Sequence, residues 1–440
     1  MSDDWKSGLH YHDRTDVGMR RANNQDSHAS IPAKNAERFW QRGHLFVVAD
    51  GMGAHAAGEL ASSIATEQIA LNYFRTDTEP VEALRSAVIE SNAEIYSRGQ
   101  KNPEFHNMGT TASAMALLPQ GAIIAHVGDS RIYRLRDGVF EQLTFDHSLV
   151  WEMEASGQVD PGSPLAQSIP KNVITRSLGP NAEVVVDVEG PFKVQQGDRF
   201  LLCSDGLSGL VEDPEIGTLV DCLPEELATR VLIDLANLRG GPDNSTVIIV
   251  RVEDGPEVNP GDKQPKTRKR KKKQSDSRVH PGLLAATAVC FIGALVLGVV
   301  AITSSPAAWG PMVIVLILGL IAAGFCGAQL HSSSKVEKTN KPLPKVSGGK
   351  APYRRFSAAP TKGLYDKLGG TVDELRTAAE QNNWMMNWKK IDELQEKGGE
   401  ALRSKKGKQA IRFQAEAIIE TMLQLREQHN RASNETAIDY

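Results

Sequence analysis

Short apolar runs separated by polar, glycine-containing turns dominate the first 254 residues, and such runs are typical of β-strands. Two longer stretches, 59–73 and 80–98, carry apolar residues at helical spacing and predict helices. The strands come in groups and do not alternate regularly with helices. This order favours an α+β fold with stacked antiparallel sheets covered by helices over a doubly wound parallel sheet. The predicted strands are residues 45–49, 111–118, 122–127, 131–135, 184–188, 199–203 and 246–252.

Two uncharged apolar stretches follow, at 283–303 and 311–330. Each is close to the roughly 20 residues that a helix needs to cross a bilayer. We therefore predict transmembrane helices over residues 282–303 and 311–330. A buried helical hairpin in a soluble domain is the alternative interpretation, but the Lys and Arg residues that flank both stretches favour a membrane.

The charge on either side of this hairpin predicts its orientation. A Pro-rich and basic linker, residues 254–281, precedes it and contains the run Lys266–Lys273, while further lysines follow it from Lys335 to Lys345. Basic flanks stay in the cytoplasm, so we expect a cell-membrane protein whose amino-terminal domain and tail are both cytoplasmic. No secretory signal is evident at the amino terminus. The basic run suits anionic lipid head groups better than nucleic acid because it lies directly before a span.

The remaining residues predict a second linker over 331–365 and a mostly helical tail over 366–430. Thr371 to Glu374 has the pattern of a capping box opening a helix that reaches about Trp388. Gly398 and Gly399 should interrupt the pattern, and helical spacing resumes from Gln409. A small helical bundle or a coiled coil would fit. The cluster 384–388, which holds two Trp and two Met residues, is better explained as core or as a partner-facing surface than as a cofactor site. The partner of the tail is unknown.

The net charge of −4 hides a division along the chain. Residues 1–254 carry 21 Lys and Arg against 37 Asp and Glu, or −16, so the rest of the chain carries +12. The acidic half holds the candidate catalytic residues, and the basic half adjoins the predicted membrane segment. Four cysteines without close spacing argue against a disulfide framework or a cysteine zinc site.

Aspartates recur where the predicted strands end. Asp50 precedes Gly51 after one strand, Asp129 and Asp205 follow two others, and Asp243 precedes a fourth, with Asp26 further upstream. One such Asp is ordinary turn chemistry. Several strand ends at one sheet edge would bring the carboxylates together, and their repulsion would require a cation such as Mg²⁺ or Mn²⁺. Glycine at position 51 would let a backbone carbonyl approach that cation.

An ordered series of motifs over residues 8–253 resembles the bacterial form of the metal-dependent protein phosphatases of type 2C, the PPM family. The motifs are Thr15–Arg21 with Asn24–Asp26, Val48–Gly53 with Gly58 and Glu59, Met108–Thr111, Val127–Arg131, Leu143–His147, Asn172–Gly179, Ser204–Leu207 and Gly240–Asn244. The resemblance implies an αββα sandwich with two Mg²⁺ or Mn²⁺ ions in the cleft between the sheets.

The resemblance also implies roles for single residues. Asp50 matches the aspartate that bridges both metals, and Gly51 matches the carbonyl ligand. Asp205 and Asp243 match the other carboxylate ligands, and Asp26 matches a position near the metals. Asp129 and Asp205 match the site of a third ion in bacterial members. Arg21 matches the arginine that binds the substrate phosphate, a task that suits the guanidinium fork.

The implied activity is hydrolysis of phosphoserine and phosphothreonine in proteins by metal-activated hydroxide, opposing a serine/threonine kinase system. A catalytically inactive member of the fold, acting as a membrane scaffold or sensor through its tail, is the alternative. His55 is a candidate general acid, although it does not match the histidine proposed for that role in eukaryotic relatives. Residues 146–180 match the flap beside the cleft, where substrate choice should be decided.

Overall fold

The computed structural model describes residues 8–53, 56–170, 172–253 and 350–438. The described residues before and after the long gap belong to one compact unit. The predicted spans, 282–303 and 311–330, and the basic linker lie outside the described residues. Among the helices that are described, none combines the length and the apolar character needed to cross a membrane.

Twelve strands form two six-stranded sheets within the described residues. The strands are β1 (Leu9–Asp16), β2 (Asp26–Ile31), β3 (His44–Met52), β4 (Gly109–Thr110), β5 (Ala112–Leu118), β6 (Gly121–Val127), β7 (Arg131–Arg136), β8 (Val139–Gln142), β9 (Asp187–Phe192), β10 (Arg199–Cys203), β11 (Ser245–Val252) and β12 (Arg354–Ser357). One sheet has the order β1-β11-β10-β7-β8-β12. The other has the order β2-β3-β5-β6-β9, with β4 paired to β3. All pairings are antiparallel.

Eleven helices surround the two sheets within the described residues. They are α1 (Ala36–Arg42), α2 (Ala57–Arg75), α3 (Pro80–Lys101), α4 (Leu149–Ala155), α5 (Pro164–Ser168), α6 (Asp205–Ser208), α7 (Asp213–Cys222), α8 (Glu225–Leu238), α9 (Lys362–Gln381), α10 (Trp388–Arg403) and α11 (Gly407–Ile438), with a 3₁₀ turn at Pro103–Phe105. Helices α2 and α3 pack on the β3 sheet, and α7 and α8 pack on the β10 sheet.

The core follows from the alternation of side chains along each buried strand. In β3, Phe46 and Val48 point between the sheets, whereas Leu45 and Val47 contact α2 and α3. Strand β10 alternates in the same way, with Leu202 between the sheets. Both faces of these strands are therefore apolar, and the predicted sandwich of two antiparallel sheets flanked by helices is confirmed.

The tail packs directly on the catalytic half of the chain. Strand β12 extends one sheet by pairing with β8, so that Arg354 lies opposite Gln142. The apolar faces of α9, α10 and α11 share one core with α7 and α8, to which Leu368, Ile391 and Ile418 contribute. Residues 354–357, which we assigned to a linker, thus form an edge strand, because β8 offered an open sheet edge.

The predicted helix start at Thr371 is wrong. Helix α9 begins at Lys362, where the Thr361 side chain accepts a hydrogen bond from the Leu364 amide at 3.2 Å, and Thr371 lies in its interior. Gly398 and Gly399 do not interrupt a helix but lie within α10. A Cβ at position 398 would lie 3.0 Å from the Tyr365 hydroxyl oxygen, so packing between α9 and α10 explains the small residue.

The aromatic and Met cluster 384–388 is divided by the fold. Met385 is 84% exposed, whereas Trp388 packs against the shared core, with the Arg376 guanidinium 4.6 Å from its ring centre. One part of the cluster is therefore core and another part is free surface.

Candidate active site

The antiparallel register brings the predicted aspartates to the same end of both sheets. Asp26 begins β2 and lies opposite Asp50 near the end of β3. Asp129 follows β6, whose end pairs with the start of β5. In the other sheet, Asp205 follows β10 and Asp243 precedes β11, two strands that pair where these residues lie. Five residues far apart in sequence thus share one site.

Hydrogen bonds join the two sheets at this site. The hydroxyls of Ser204 and Thr246 both donate to Asp26 Oδ2, each at 2.7 Å. The Asp50 backbone carbonyl accepts from the Thr110 hydroxyl at 2.9 Å, which fixes the end of β3.

Burial and mutual repulsion leave the carboxylates poorly compensated. Burial, followed by the charges of Asp26, Asp205 and Asp129, raises the pKa of Asp50 well above its usual range. Burial raises the pKa of Asp26 to about 7, although hydrogen bonds from Thr246 and Ser204 oppose the shift. Burial and the neighbouring Asp205 raise the pKa of Asp129 to about 8. A bound cation would reverse these shifts, because it favours the ionised form.

The donor chemistry of the site fits hard divalent cations. Asp26 Oδ1 and Asp129 Oδ1 are buried and have no hydrogen-bond partner within the described residues. Free carboxylate oxygens in a group of acids suit Mg²⁺ or Mn²⁺. No three described His, Cys, Asp or Glu side chains already stand at metal-ligand spacing. Asp243 instead binds Arg21, and Asp26 accepts hydrogen bonds from two hydroxyls, so these contacts would have to rearrange around a cation.

Gly51 is required by the close approach of three backbone segments. A Cβ at this position would lie 2.1 Å from the Gly58 carbonyl oxygen and 2.5 Å from that of Gln25. Its amide donates to the same Gln25 oxygen at 3.1 Å. The start of α2 is thereby held against the end of β3, beside Asp50.

Arg21 lies at the rim of the carboxylate group. Its Nη2 is 2.8 Å from Asp243 Oδ2, and these side chains are 46% and 36% exposed. Gly18, with φ of +83°, allows the preceding turn to pack on the Asp243 backbone, where a Cβ would lie 2.3 Å from the carbonyl oxygen. A solvent-accessible guanidinium beside buried acids is well placed to meet an incoming phosphate dianion.

Several residues that build the site were not predicted from the sequence. Asn244 ties three loops together, since its side chain donates to the carbonyls of Val17 and Asn23 and accepts from the Gln25 amide. Ser204 and Thr246 hold Asp26, as described above. Their positions next to Asp205 and near Asp243 were the only signal available in the sequence. His55, the candidate general acid, lies outside the described residues.

Residues 146–180 leave the sheets and return to them beside the site. At one end, the His147 amide donates to the Gly128 carbonyl, next to Asp129, and His147 Nδ1 accepts from the Gly128 amide at 2.9 Å. At the other end, Leu178 exchanges backbone hydrogen bonds with Thr110, whose hydroxyl contacts Asp50. Both ends of this segment are therefore attached to strands that carry site aspartates.

Comparison with known proteins agrees with this geometry. The family described as Protein phosphatase 2C matches residues 19–231. Protein phosphatase PhpP of Streptococcus pneumoniae serotype 2 (strain D39 / NCTC 7466) is 37% identical over 246 residues, which are 54% of this chain and 96% of that protein. The serine/threonine phosphatase of S. agalactiae is 36% identical, with a TM-score of 0.50, over 56% of this chain and 100% of that one.

A third relative was solved with metal. The catalytic domain of serine/threonine protein phosphatase PstP, in complex with two manganese ions, is 35% identical over 56% of this chain and 99% of that one, with a TM-score of 0.47.

The chain belongs to the protein phosphatase 2C family. The prediction of a protein-serine/threonine phosphatase, a phosphoric monoester hydrolase, is confirmed at the level of the family, and several homologues are named serine/threonine phosphatases. An enzyme is therefore favoured over the inactive scaffold.

Proposed function

We propose that this protein removes phosphate from phosphoserine and phosphothreonine residues of other proteins, with two Mg²⁺ or Mn²⁺ ions bound by Asp50, Gly51, Asp205 and Asp243. The observation that carries the proposal is the group of buried, uncompensated carboxylates with Arg21 at its rim. Asp26 lies within this group and supports it, directly or through water. Asp129 with Asp205 is the proposed place of a third ion. A serine/threonine kinase system would supply the substrates.

In the proposed reaction, Arg21 binds the substrate phosphate and the aspartates bind the cations. Arg21 releases Asp243 and donates two hydrogen bonds to the phosphate, which neutralises and orients the dianion. Asp50 and its neighbours keep the cations in place, and Ser204 and Thr246 keep Asp26 in place. Bound divalent cations supply hydroxide near neutral pH and stabilise charge on the phosphoryl oxygens. No protein nucleophile is needed.

Phosphate release from a phosphothreonine peptide with Mn²⁺ tests this proposal. Asp50→Ala and Asp243→Ala should each lower the rate by at least about 100-fold, whereas Asp77→Ala, an exposed loop substitution, should not. Mn²⁺ should also raise the unfolding temperature of the wild type but not of Asp50→Ala, because ligand binding stabilises only the folded state. An inactive wild type, or an Asp50→Ala protein with full activity, would contradict the proposal.

We also propose that residues 282–303 and 311–330 anchor the enzyme in the cell membrane as a two-span hairpin, with the basic linker against anionic lipid. The pairing of β12 with β8 supports an even number of crossings, since it requires the chain before and after the hairpin to lie on the same side. The Lys and Arg residues of both flanks favour the cytoplasmic side.

Fractionation and protease protection test the anchor. The protein should remain in the membrane fraction after a carbonate wash, and protease added outside intact spheroplasts should leave the phosphatase domain uncut. Release by carbonate would argue against the spans, and digestion of the domain would argue against the cytoplasmic placement.

A further inference from the structure

The chain that follows the predicted hairpin returns to the 146–180 segment beside the active site. Arg354, in β12, places its guanidinium carbon 4.0 Å from the ring centre of Trp151 in α4. Its Nη2 also lies 3.1 Å from Glu154 Oε2 on the next turn of the same helix. Trp151 is 8% exposed and the Glu154 side chain 14%, whereas the Arg354 side chain is 34% exposed, so the guanidinium covers the ring and keeps one edge in water.

Neighbouring residues strengthen the same contact. Tyr353 stands edge-on to Phe145, with ring centres 5.6 Å apart, and its hydroxyl donates to Glu189 in β9. Phe145 in turn lies edge-on to Trp151, with ring centres 5.1 Å apart. One strand from the tail therefore contacts α4 by stacking, by charge and through a shared aromatic group.

Helix α4 transmits this contact to the far side of the segment. The Leu149 amide donates to the Val173 carbonyl at 2.9 Å. Glu152 Oε1 accepts from the Thr175 hydroxyl at 2.6 Å. Thr175 lines a surface groove together with residues 174, 176, 177, 180, 181 and 183–185. A change in the position of α4 would thus move one wall of this groove.

We propose that Arg354 is a positioning residue for protein substrates. Its contacts with Trp151 and Glu154 hold α4 in place, and α4 in turn holds the groove at 174–185. Substrate residues that flank the phosphorylated side chain bind in this groove. The inference rests on the proposed phosphatase function. A small ester such as p-nitrophenyl phosphate contacts only the phosphate site, whereas a phosphopeptide extends across the neighbouring surface. The tail therefore sets affinity for proteins and leaves the chemistry unchanged.

Two arginines in adjacent positions of β12 provide a matched test. Arg355 points to the other face of the strand, where it is 65% exposed and pairs with Glu141. In the purified full-length protein, Arg354→Ala should raise KM for a phosphothreonine peptide about five- to tenfold with little change in kcat. Arg355→Ala should leave KM unchanged. Neither substitution should alter kcat/KM for p-nitrophenyl phosphate. Arg354→Lys, which keeps the charge but loses the planar stack, should fall between Arg354→Ala and the wild type.

Amide hydrogen exchange gives a second measurement that does not depend on turnover. Glu154→Gln removes the ion pair and leaves the stack in place, so it is a milder change if Arg354→Ala does not fold. Residues 149–176 should exchange faster in Glu154→Gln than in wild type or Arg355→Ala. The proposal would be overturned if residues 149–176 exchanged equally fast in all three proteins. It would also be overturned if Arg354→Ala had an unchanged KM for the peptide, or lost kcat/KM equally for the peptide and for p-nitrophenyl phosphate. A wild type that hydrolyses neither substrate would refute the phosphatase function, while the exchange experiment would still test the role of Arg354.

Discussion

Arg21 is the cation at the rim of the carboxylate site, and its loss should mainly weaken binding of the substrate phosphate. We expect Arg21→Ala to lower kcat/KM for a phosphothreonine peptide by about 10- to 100-fold, because hydrogen bonds to charged groups contribute about 1.5–3 kcal/mol. Arg20→Ala, the exposed neighbour, is the control. Steady-state phosphate release measures both variants, and equal effects of the two substitutions would refute the assigned role.

We expect the ionisation of Asp187 to make the free energy of unfolding depend on pH. Burial acts to raise the pKa of Asp187, but His147 and Arg176 together lower it to about 2. The pKa of Asp187 is lower in the folded than in the unfolded state. The stability that ionised Asp187 contributes is therefore present above about pH 4 and is lost as pH falls towards 2. Asp187→Asn should therefore cost about 1–2 kcal/mol near pH 6, and the difference from wild type should shrink below about pH 3.5.

Urea unfolding across this pH range measures the effect of Asp187→Asn. An Asp160→Asn variant, at an exposed position of the same 146–180 segment, should match the wild type at every pH. A constant difference between Asp187→Asn and wild type from pH 6 to pH 2.5 would contradict the assigned ion pair with Arg176 and hydrogen bond from His147.

At the level of elements, the second half of α11 is attached to the turn that carries Arg21. Arg426 Nη2 lies 2.7 Å from Asp16 Oδ2 and 3.8 Å from Asp234 Oδ1. Asp16 Oδ1 accepts from the Gly18 amide at 3.0 Å, at the base of that turn. The tail thus neutralises two largely buried acids next to the site.

We expect Arg426→Ala to lower the free energy of unfolding by about 1 kcal/mol, since it leaves the largely buried Asp16 without its cation, while Asp234 keeps Arg230 and the arginine itself is partly exposed. Arg412→Ala is the matched control on the same helix, because Arg412 forms only an exposed i,i+4 pair with Glu416. That variant should lose less than about 0.5 kcal/mol. Chemical denaturation compares the two, and equal losses would mean that the contact of Arg426 with Asp16 does not stabilise the fold.

At the level of the whole molecule, the tail completes the hydrophobic core of the catalytic unit. The matched part of S. pneumoniae PhpP makes up 96% of that protein but only 54% of this chain, so the tail has no counterpart there. A form of this protein that ends at residue 254 should expose the apolar surface of α7 and α8. We expect it to aggregate and to unfold at least about 5 °C lower than the full chain.

Size-exclusion chromatography and thermal unfolding test this expectation. Residues 343–440, added as a separate chain, should bind the truncated form and restore its unfolding temperature. A monodisperse truncated form with an unchanged unfolding temperature would show that the shared core contributes little.

How far the sequence predicted the molecule depends on the range of each interaction. The central strands β3, β5, β6, β7, β10 and β11 and the aspartates beside them were readable because alternation and turn residues act over a few positions, whereas β1, β2 and β8 were not predicted. The helix start predicted at Thr371 and the interruption predicted at Gly398 and Gly399 were wrong, because the same short patterns also occur inside helices, here α9 and α10. There, packing between the helices decides which residues are helical.

The sequence by itself determined the family, the candidate site and the apolar stretches that predict a membrane anchor. Only the tertiary structure decided that Ser204 and Thr246 hold Asp26 and that β12 joins β8. It also decided that Arg354 attaches the tail to Glu154 and that Arg426 attaches it to Asp16. Arg426 and Asp16 are 410 positions apart. Contacts of this kind leave no periodic signal along the chain, because they depend on the complementary shape and charge of surfaces that exist only after each part has folded.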